Sequence, residues 1–179
     1  MKIVHIYGAS GAGTTTLGKA IAMQYGFTHM DTDDYFWLPT NPPFIAKREL
    51  NERIALMKKD METNEKVVIS GSLCGWGDVL FPLFNLAIRI VTPMETRINR
   101  LEAREYGRFG NRIREHGDMY EDHLSFIEWA KDYDHGDETM RSKAMHDKWS
   151  KQLLCEQITL DGTKPVADNL ELLKRYLED

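Results

Sequence analysis

The sequence is poor in cysteine, in long apolar runs and in excess basic charge. Its two cysteines, Cys74 and Cys155, are too few for a disulfide framework, and no Cys and His residues have the spacing of a structural zinc site. No apolar run is long enough to cross a bilayer or to act as a signal peptide, so we expect a cytoplasmic protein without a membrane partner. The formal net charge of -5 argues against a nucleic-acid partner, although it leaves room for a local basic site. These absences favour a cytoplasmic enzyme or switch, and nothing in the composition fixes its oligomeric state.

What the sequence contains is an alternation of short apolar runs with amphipathic segments. The runs "IVHIY", "FTHM", "KVVIS", "LAIRIVTP" and "CEQITLDG" are typical of buried strands. Helical patterns lie between them, at about 14–25, 47–64, 94–117, 119–132, 137–152 and 166–179. Strands that alternate with helices predict an α/β fold, with a parallel sheet covered by helices on both faces. With 179 residues, a single domain is expected.

Each strand pattern but one is followed by a polar cluster. The clusters are "GASGAGTTT", "DTDDYFW", "SGSLCGW" and "LDGTKP". Ligands of parallel α/β sheets bind at the carboxyl ends of the strands, so we expect these clusters to converge on one edge of the sheet.

The first cluster has the spacing of a phosphate-binding loop, G-x-x-x-x-G-K-[ST], with Thr14 in the lysine position. Backbone N–H groups of such a loop point at one place, and the dipole of the following helix favours an anion there. Thr15 has the position of the hydroxyl that holds Mg²⁺. The alternative, a tight turn before a threonine-capped helix, explains one glycine but not three. We therefore expect a nucleotide to be bound by Gly8, Ala9, Ser10, Gly11, Ala12, Gly13, Thr14, Thr15 and Thr16.

The missing lysine is the main departure from the motif. Loss of one preorganised donor lowers a rate by on the order of 10²–10³. Binding can persist on the loop amides and Mg²⁺, but fast chemistry needs another cation. Lys19 lies one turn further along the predicted helix and is expected to face away, so an arginine is the better candidate.

The segment 94–117 is unusually rich in arginine. It has arginines four residues apart, which predicts a stripe on one helix face: Arg100, Arg104, Arg108 and Arg112. Arg97 and Arg114 are expected to add to this stripe. A solvated helix with arginines paired to glutamates is the alternative. The excess of arginine over lysine favours phosphate contacts, because guanidinium groups bind phosphate through two parallel hydrogen bonds.

These motifs together resemble the adenylate-kinase-like small P-loop kinases, which include nucleoside monophosphate kinases and shikimate kinase. The resemblance implies a three-layer P-loop NTPase fold with a five-stranded parallel sheet, an arginine-rich helical lid, and ATP and Mg²⁺ as ligands. It divides a single domain 1–179 into a core (1–105 and 137–179), an acceptor-binding insert (about 36–64) and a lid (about 106–136).

The resemblance also implies roles for individual residues. "VTPMETRINRLEAR" is similar to the segment that leads into the lid, so that Arg100 would stack on the adenine and Arg104 would reach the phosphates. "DETMRSKAM" resembles the helix after the lid and makes Arg141 and Lys143 candidates for phosphate contacts. "LDGTKPVADNL" is similar to the loop that lines the adenine. In that loop the backbone at Gly162, Thr163, Lys164 and Pro165 would make the contact.

The acidic stretch "DTDDYFW" is expected to form a turn at the end of the second strand, and its "DTD" resembles the shikimate-kinase branch of these enzymes. That likeness places Asp31 near the metal and Asp33 near the acceptor, whereas Asp34 is expected to be a cap; an Asx turn is the alternative for the whole cluster. In the family, D-G-[FY] follows the third strand, and Ser70 stands here in place of its metal-side Asp. Asp31 or Asp33 must therefore do more of the metal binding.

The aromatic and histidine residues have weaker signals. Trp37 and Trp76 follow strands and are candidates for a sandwich around a planar acceptor; anchoring of their loops is the alternative. Trp129 and Trp149 fit helical core positions, and His5 lies in a strand and is expected to be buried. His146 is expected at the surface.

The sequence thus predicts Mg²⁺-dependent transfer of the ATP γ-phosphoryl group to a small acceptor, a nucleoside monophosphate being one candidate. Arg104, Arg108 and Arg141 would replace the lysine, and Asp33 would orient the acceptor or take its proton. Two alternatives stay open: a nucleotide-binding sensor and a slow NTP hydrolase.

Overall fold

The computed structural model describes residues 1–178 and contains a five-stranded parallel sheet in the order β2-β3-β1-β4-β5. The predicted parallel α/β sheet is therefore confirmed. Its strands are β1 (Lys2–Gly8), β2 (Thr28–Asp31), β3 (Lys66–Ser70), β4 (Leu86–Val91) and β5 (Glu156–Asp161).

Helices connect and cover the strands. They are α1 (Thr14–Tyr25), α2 (Thr32–Phe36), α3 (Leu50–Glu62), α4 (Met94–Phe109), α5 (Tyr120–Lys131), α6 (Lys143–Ser150) and α7 (Val166–Leu177). Short 3₁₀ turns occur at Asp78–Leu83, Gly110–Ile113 and Asp132–Asp134. Among the described residues, no helix combines the length and the apolar character needed to cross a membrane.

Both faces of the sheet are buried, because alternate residues of a strand point to opposite sides. Val4 and Ile6 of β1 face the apolar cluster that includes α1 and α7. Ile3 and Tyr7 of the same strand face a second cluster, which includes Met57 of α3 and residues after β3. The result is a three-layer arrangement in which the loops after the parallel strands meet at one edge.

The acidic stretch after β2 is the clearest difference from the sequence-based prediction of a turn. It forms the short helix α2, because the Asp31 carboxylate accepts a hydrogen bond from the backbone N–H of Asp33 and caps the helix. Asp34 lies inside α2, so the prediction that Asp34 is the cap was wrong.

Several helix ends also differ from the pattern. The arginine-rich helix stops at Phe109 rather than near 117, where Gly110 has a φ of +55°. The helix predicted over 137–152 begins only at Lys143, because the Ser142 hydroxyl caps it by accepting from the N–H of Met145. Helix α3 begins at Leu50 and not at 47.

Gly71 closes β3 with a φ of +113°, and we expect Gly71→Ala to be strongly destabilising. An added Cβ would lie 1.9 Å from the hydroxyl oxygen of Thr32, a buried residue. Backbone strain and overpacking together predict a loss of about 3 kcal/mol in the free energy of unfolding, measured by urea denaturation.

A matched change is available in α4. Gly107 has open space where a Cβ would stand, so Gly107→Ala is expected to raise the free energy of unfolding by ~0.5–1 kcal/mol. Equal urea midpoints for Gly71→Ala and the unchanged protein would contradict the packing argument.

Candidate nucleotide and acceptor site

The glycine-rich loop connects β1 to α1 and packs directly on helix α4. Gly11 and Gly13 have φ values of +78° and +107°, which the left-handed region allows for glycine. A Cβ on Gly11 would lie 2.6 Å from the carbonyl oxygen of Arg97. The Thr92 hydroxyl donates to the carbonyl of Ala12 over 3.0 Å, so a hydrogen bond from the residue after β4 holds this part of the loop.

A cavity of about 570 Å³ opens beside the loop and the first turn of α1. It brings together loop residues, arginines of α4 and the segment after β5, as the sequence predicted. Lys19, which was expected to face away, lines part of this cavity, and its charge acts on His29 and Asp34. The cavity is lined by residues Gly11–Leu17 and by Lys19, Ile90, Arg100, Leu101, Arg104, Arg108, Gly162, Lys164, Val166 and Asn169.

Arg100 joins the two loops on either side of this cavity. Its guanidinium donates to the carbonyl of Gly162 over 2.9 Å and to the carbonyl of Ala12 over 3.5 Å. Lys164 lines the cavity next to it, and Pro165 is the N-cap residue of α7. Asn169 in α7 was missed by the sequence analysis; its Oδ1 is buried and lacks a hydrogen-bond partner among the described residues.

Glu105 organises the next two arginines of α4. Arg104 donates to the Glu105 carboxylate over 3.0 Å, and Arg108 lies 3.8 Å from the same oxygen. Glu105 itself is largely buried, whereas both arginines reach solvent at the cavity. The site therefore contains two guanidinium groups that share one internal carboxylate.

Arg97 does not belong to the exposed stripe, which corrects the sequence prediction. It is 1% exposed and forms an ion pair with Asp134 at 2.5 Å. Arg112, the next arginine of the predicted stripe after Arg108, forms a local ion pair with Asp118 at 2.7 Å. Only Arg100, Arg104 and Arg108 of α4 therefore face the cavity among the arginines of this segment that the structure describes.

The Thr15 hydroxyl and the Asp31 carboxylate meet at the mouth of the loop. Thr15 donates to one oxygen of Asp31 over 3.0 Å, and the other oxygen accepts from the N–H of Asp33. A hydroxyl and a carboxylate are oxygen ligands of the kind that Mg²⁺ prefers. No group of three or more His, Cys, Asp or Glu side chains within 1–178 could hold a metal. A Mg²⁺ ion here would therefore complete its shell with phosphate and water oxygens.

Ser70, which stands where the family has a second metal-side Asp, adds no carboxylate to that of Asp31. Ser70 is buried and its hydroxyl pairs with the imidazole Nε2 of His29 at 2.8 Å. Burial lowers the pKa of His29, which favours a neutral ring at this contact. The carboxylate that the family resemblance would place after β3 is therefore replaced by a neutral pair.

Arg141 contacts the glycine-rich loop at Ser10, whereas Arg100 contacts it at Ala12, and the charge of Arg141 also acts on Asp33. Arg141 donates to the Ser10 hydroxyl over 3.4 Å, and its guanidinium lies 5.4 Å from the ring centroid of Trp129. Asp33 is an exposed residue, yet neighbouring protein atoms desolvate its carboxylate in part. This partial desolvation raises the pKa of Asp33, and the charges of Arg141 and Arg104 oppose the shift.

An aromatic cluster follows α2. The Phe36 ring packs against Trp37 at 4.8 Å and against Trp76 at 5.8 Å between centroids, so both predicted tryptophans belong to one cluster. Arg53 of α3 was missed by the sequence analysis. It is nine-tenths buried, with its guanidinium 4.0 Å from the Phe36 ring centroid. The neighbours that mark it, Phe36 of α2 and Trp76 after β3, come from other parts of the chain, so only the fold reveals it.

His146 is fully buried, and its predicted surface position was wrong. The imidazole contacts the hydroxyls of Tyr133 and Ser72, which lie far from it in the sequence. Trp149 is in the core as predicted, and Trp129 is partly buried beside α4. Burial raises the pKa of the Cys74 thiol to about 11, which favours the neutral thiol over the reactive thiolate.

Solved structures of three small kinases share this fold. A shikimate kinase from Bacteroides thetaiotaomicron aligns with a TM-score of 0.61 and 17% identity over 99% of each chain. A sugar kinase from Janibacter sp. aligns at 0.53 and 15%, covering 99% of this chain and 95% of its own. A shikimate kinase from Acinetobacter baumannii in complex with shikimate aligns at 0.55 and 14%, covering 99% and 93%. The chain thus has the shikimate-kinase-like fold of the small P-loop kinases.

At the sequence level no protein-family model matches the chain. It is, however, 40% identical over 176 residues to the uncharacterized protein YqaC of Bacillus subtilis (strain 168), covering 98% of this chain and 97% of YqaC. The chain belongs to the family of YqaC.

Proposed function

We propose that the protein is a Mg²⁺-dependent phosphotransferase that moves the γ-phosphoryl group of ATP to a small acceptor. The observation that carries the proposal is the Thr15–Asp31 contact at the mouth of a glycine-rich loop, beside a cavity that three arginines line. A hydroxyl, a carboxylate, a ring of amides and guanidinium groups match the parts of a phosphoryl-transfer site.

The nucleotide would bind in the cavity, with its phosphates on the loop amides at the N-terminus of α1. Mg²⁺, when bound by Thr15 and Asp31, would neutralise charge on the phosphate oxygens. Arg100 and the backbone from Gly162 to Pro165 would border the base, as adenylate-kinase-like proteins imply. The reaction needs no covalent intermediate, because alignment and charge neutralisation are sufficient.

Arg141 is the best replacement for the absent lysine. It contacts Ser10 in the loop and its charge acts on Asp33, so it would lie between the bound nucleotide and the acceptor. Arg104 and Arg108 would add positive charge from α4 as the lid, residues 106–136, closes. Closure would exclude water, which otherwise competes as acceptor.

Asp33 would orient the acceptor hydroxyl or take its proton. Its raised pKa suits proton transfer better than that of an ordinary carboxylate. The insert 36–64 and the aromatic cluster with Trp37 and Trp76 would enclose the acceptor. A shikimate kinase in complex with shikimate shares this fold, and that supports a small-molecule acceptor, with a nucleoside monophosphate as one candidate.

The test is transfer of label from γ-labelled ATP with Mg²⁺ to a panel of nucleoside monophosphates, nucleosides, sugars and other small alcohols. We expect one class to become labelled, with little free phosphate in the reaction without acceptor. Omission of Mg²⁺ should abolish the transfer.

Thr14 in the lysine position favours a second candidate, a nucleotide-binding sensor or slow NTP hydrolase. A sensor would bind ATP in a parallel titration but transfer no label to any acceptor. A hydrolase would release labelled phosphate at the same rate with and without acceptor. Either result would overturn the phosphotransferase proposal.

A further inference from the structure

Three buried polar side chains from distant parts of the chain form a continuous hydrogen-bonded series. The Tyr133 hydroxyl lies 2.7 Å from Nδ1 of His146, and Nε2 of His146 lies 3.3 Å from the Ser72 hydroxyl. The exposed fractions are 8% for Tyr133, 0% for His146 and 6% for Ser72. Polar groups this deeply buried are unfavourable without partners, so each contact constrains the next.

The Tyr133 end of this series touches the nucleotide side. Tyr133 lies in the 3₁₀ turn that ends the lid, next to Asp134, which binds the buried Arg97 of α4. The Arg97 guanidinium also lies 4.9 Å from the Tyr133 ring centroid. The backbone carbonyl of Arg97 packs against Gly11 of the phosphate loop. A displacement of α4 or of the loop therefore reaches Tyr133 through packed groups.

The Ser72 end sets the loop on the acceptor side. The Ser72 hydroxyl accepts from the backbone N–H of Cys74 over 3.4 Å, and the Ser72 carbonyl accepts from the Trp76 indole over 3.1 Å. The Trp76 ring packs on Phe36 and lies 5.7 Å from the Arg53 guanidinium. The position of Ser72 thus constrains the Trp76 indole, and through it the packing of the aromatic cluster.

His146 connects these ends and lies on the helix that follows Arg141. It lies on α6, which begins after the buried cap Ser142, and Arg141 immediately precedes that cap. Burial lowers the pKa of His146 to about 3, so the ring is neutral and carries one N–H. One ring nitrogen then donates while the other accepts, and the two contacts depend on each other.

We propose that Tyr133, His146 and Ser72 are positioning residues that couple nucleotide binding to the placement of Arg141 and of the loop from Ser72 to Trp76. The inference rests on the proposed function, because it takes the cavity at the glycine-rich loop as the nucleotide site. In this role the three residues touch neither nucleotide nor acceptor. They transmit a change at α4 and the end of the lid to the acceptor side through two hydrogen bonds.

The test is backbone hydrogen exchange measured by mass spectrometry, with and without Mg²⁺ and the non-hydrolysable ATP analogue AMP-PNP. In the unchanged protein the analogue should slow exchange in peptides that cover 72–77 by about fivefold or more. Tyr133→Phe and Ser72→Ala each delete one hydroxyl from opposite ends of the series. Both should bind AMP-PNP nearly as well as the unchanged protein, but the slowing at 72–77 should be largely lost.

Tyr25→Phe is the matched control. Its hydroxyl bonds the carbonyl of Leu170 over 3.5 Å at the far end of α1, and its loss should leave the slowing intact. If Tyr133→Phe and Ser72→Ala keep the full slowing at 72–77 while AMP-PNP binds, the coupling is overturned and the proposed function stands. If AMP-PNP does not bind the unchanged protein, both are overturned.

Discussion

Replacement of Arg141 by methionine should lower kcat for phosphoryl transfer by on the order of 10²–10³, the loss measured when one preorganised donor is removed from an active site. Arg141 contacts Ser10 of the glycine-rich loop, and no lysine occupies position 14. The dissociation constant for ATP should change far less, because the loop amides still bind the phosphates. Methionine keeps an unbranched aliphatic side chain at this partly buried position, so the fold should persist.

Arg175→Met is the control for this change. The Arg175 guanidinium also packs on an aromatic ring, that of Tyr176 at 4.6 Å, but it is exposed on α7. Its replacement should leave kcat unaltered, and Arg141→Lys should restore part of the lost rate by returning the charge. Full activity of Arg141→Met would assign the missing lysine's role to Arg104 and Arg108 instead.

Asp31→Asn should remove most of the metal dependence of nucleotide binding. Asp31 provides the carboxylate that meets the Thr15 hydroxyl, and Ser70 and His29 offer no second carboxylate nearby. Replacement of a metal-site carboxylate is expected to weaken metal-dependent binding by ~10–100-fold. The measurement is the ratio of ATP dissociation constants in EDTA and in Mg²⁺, obtained by calorimetric titration.

Asparagine is chosen because it can still cap α2 through its side-chain oxygen. Asp34→Asn removes a carboxylate from the same helix without touching Thr15, and its ratio of dissociation constants should equal that of the unchanged protein. An unaltered ratio in Asp31→Asn would show that the metal binds elsewhere.

The strands and the glycine-rich loop could be predicted because their signals are local. The centre of a strand such as β3, residues 67–69, is apolar throughout, and a parallel strand that is buried on both faces requires this pattern. The convergence of Thr15 with Asp31 also followed, since both lie at the carboxyl ends of strands in one sheet. For these features the pattern along the chain was sufficient.

The errors arose where a distant residue decides the environment. His146 resembles a surface histidine until the fold brings Tyr133 and Ser72 to its ring. Arg97 continues the spacing of its neighbours, yet Asp134 pairs with it inside the protein. Helix α2 formed where a turn was expected because one carboxylate caps it, which periodicity over five residues does not reveal.

The carboxylate of Glu105 affects which anions the cavity can bind. Arg104 and Arg108 already have an anion beside them, so an incoming anion competes with Glu105 for their positive charge. The net affinity for that anion then follows the difference between two attractions and not the strength of the new contact alone. Weak anions such as chloride or acetate gain little from such a competition. Polyphosphates carry more negative charge and gain more binding free energy. A single acidic side chain therefore makes the cavity select ligands by charge as well as by shape.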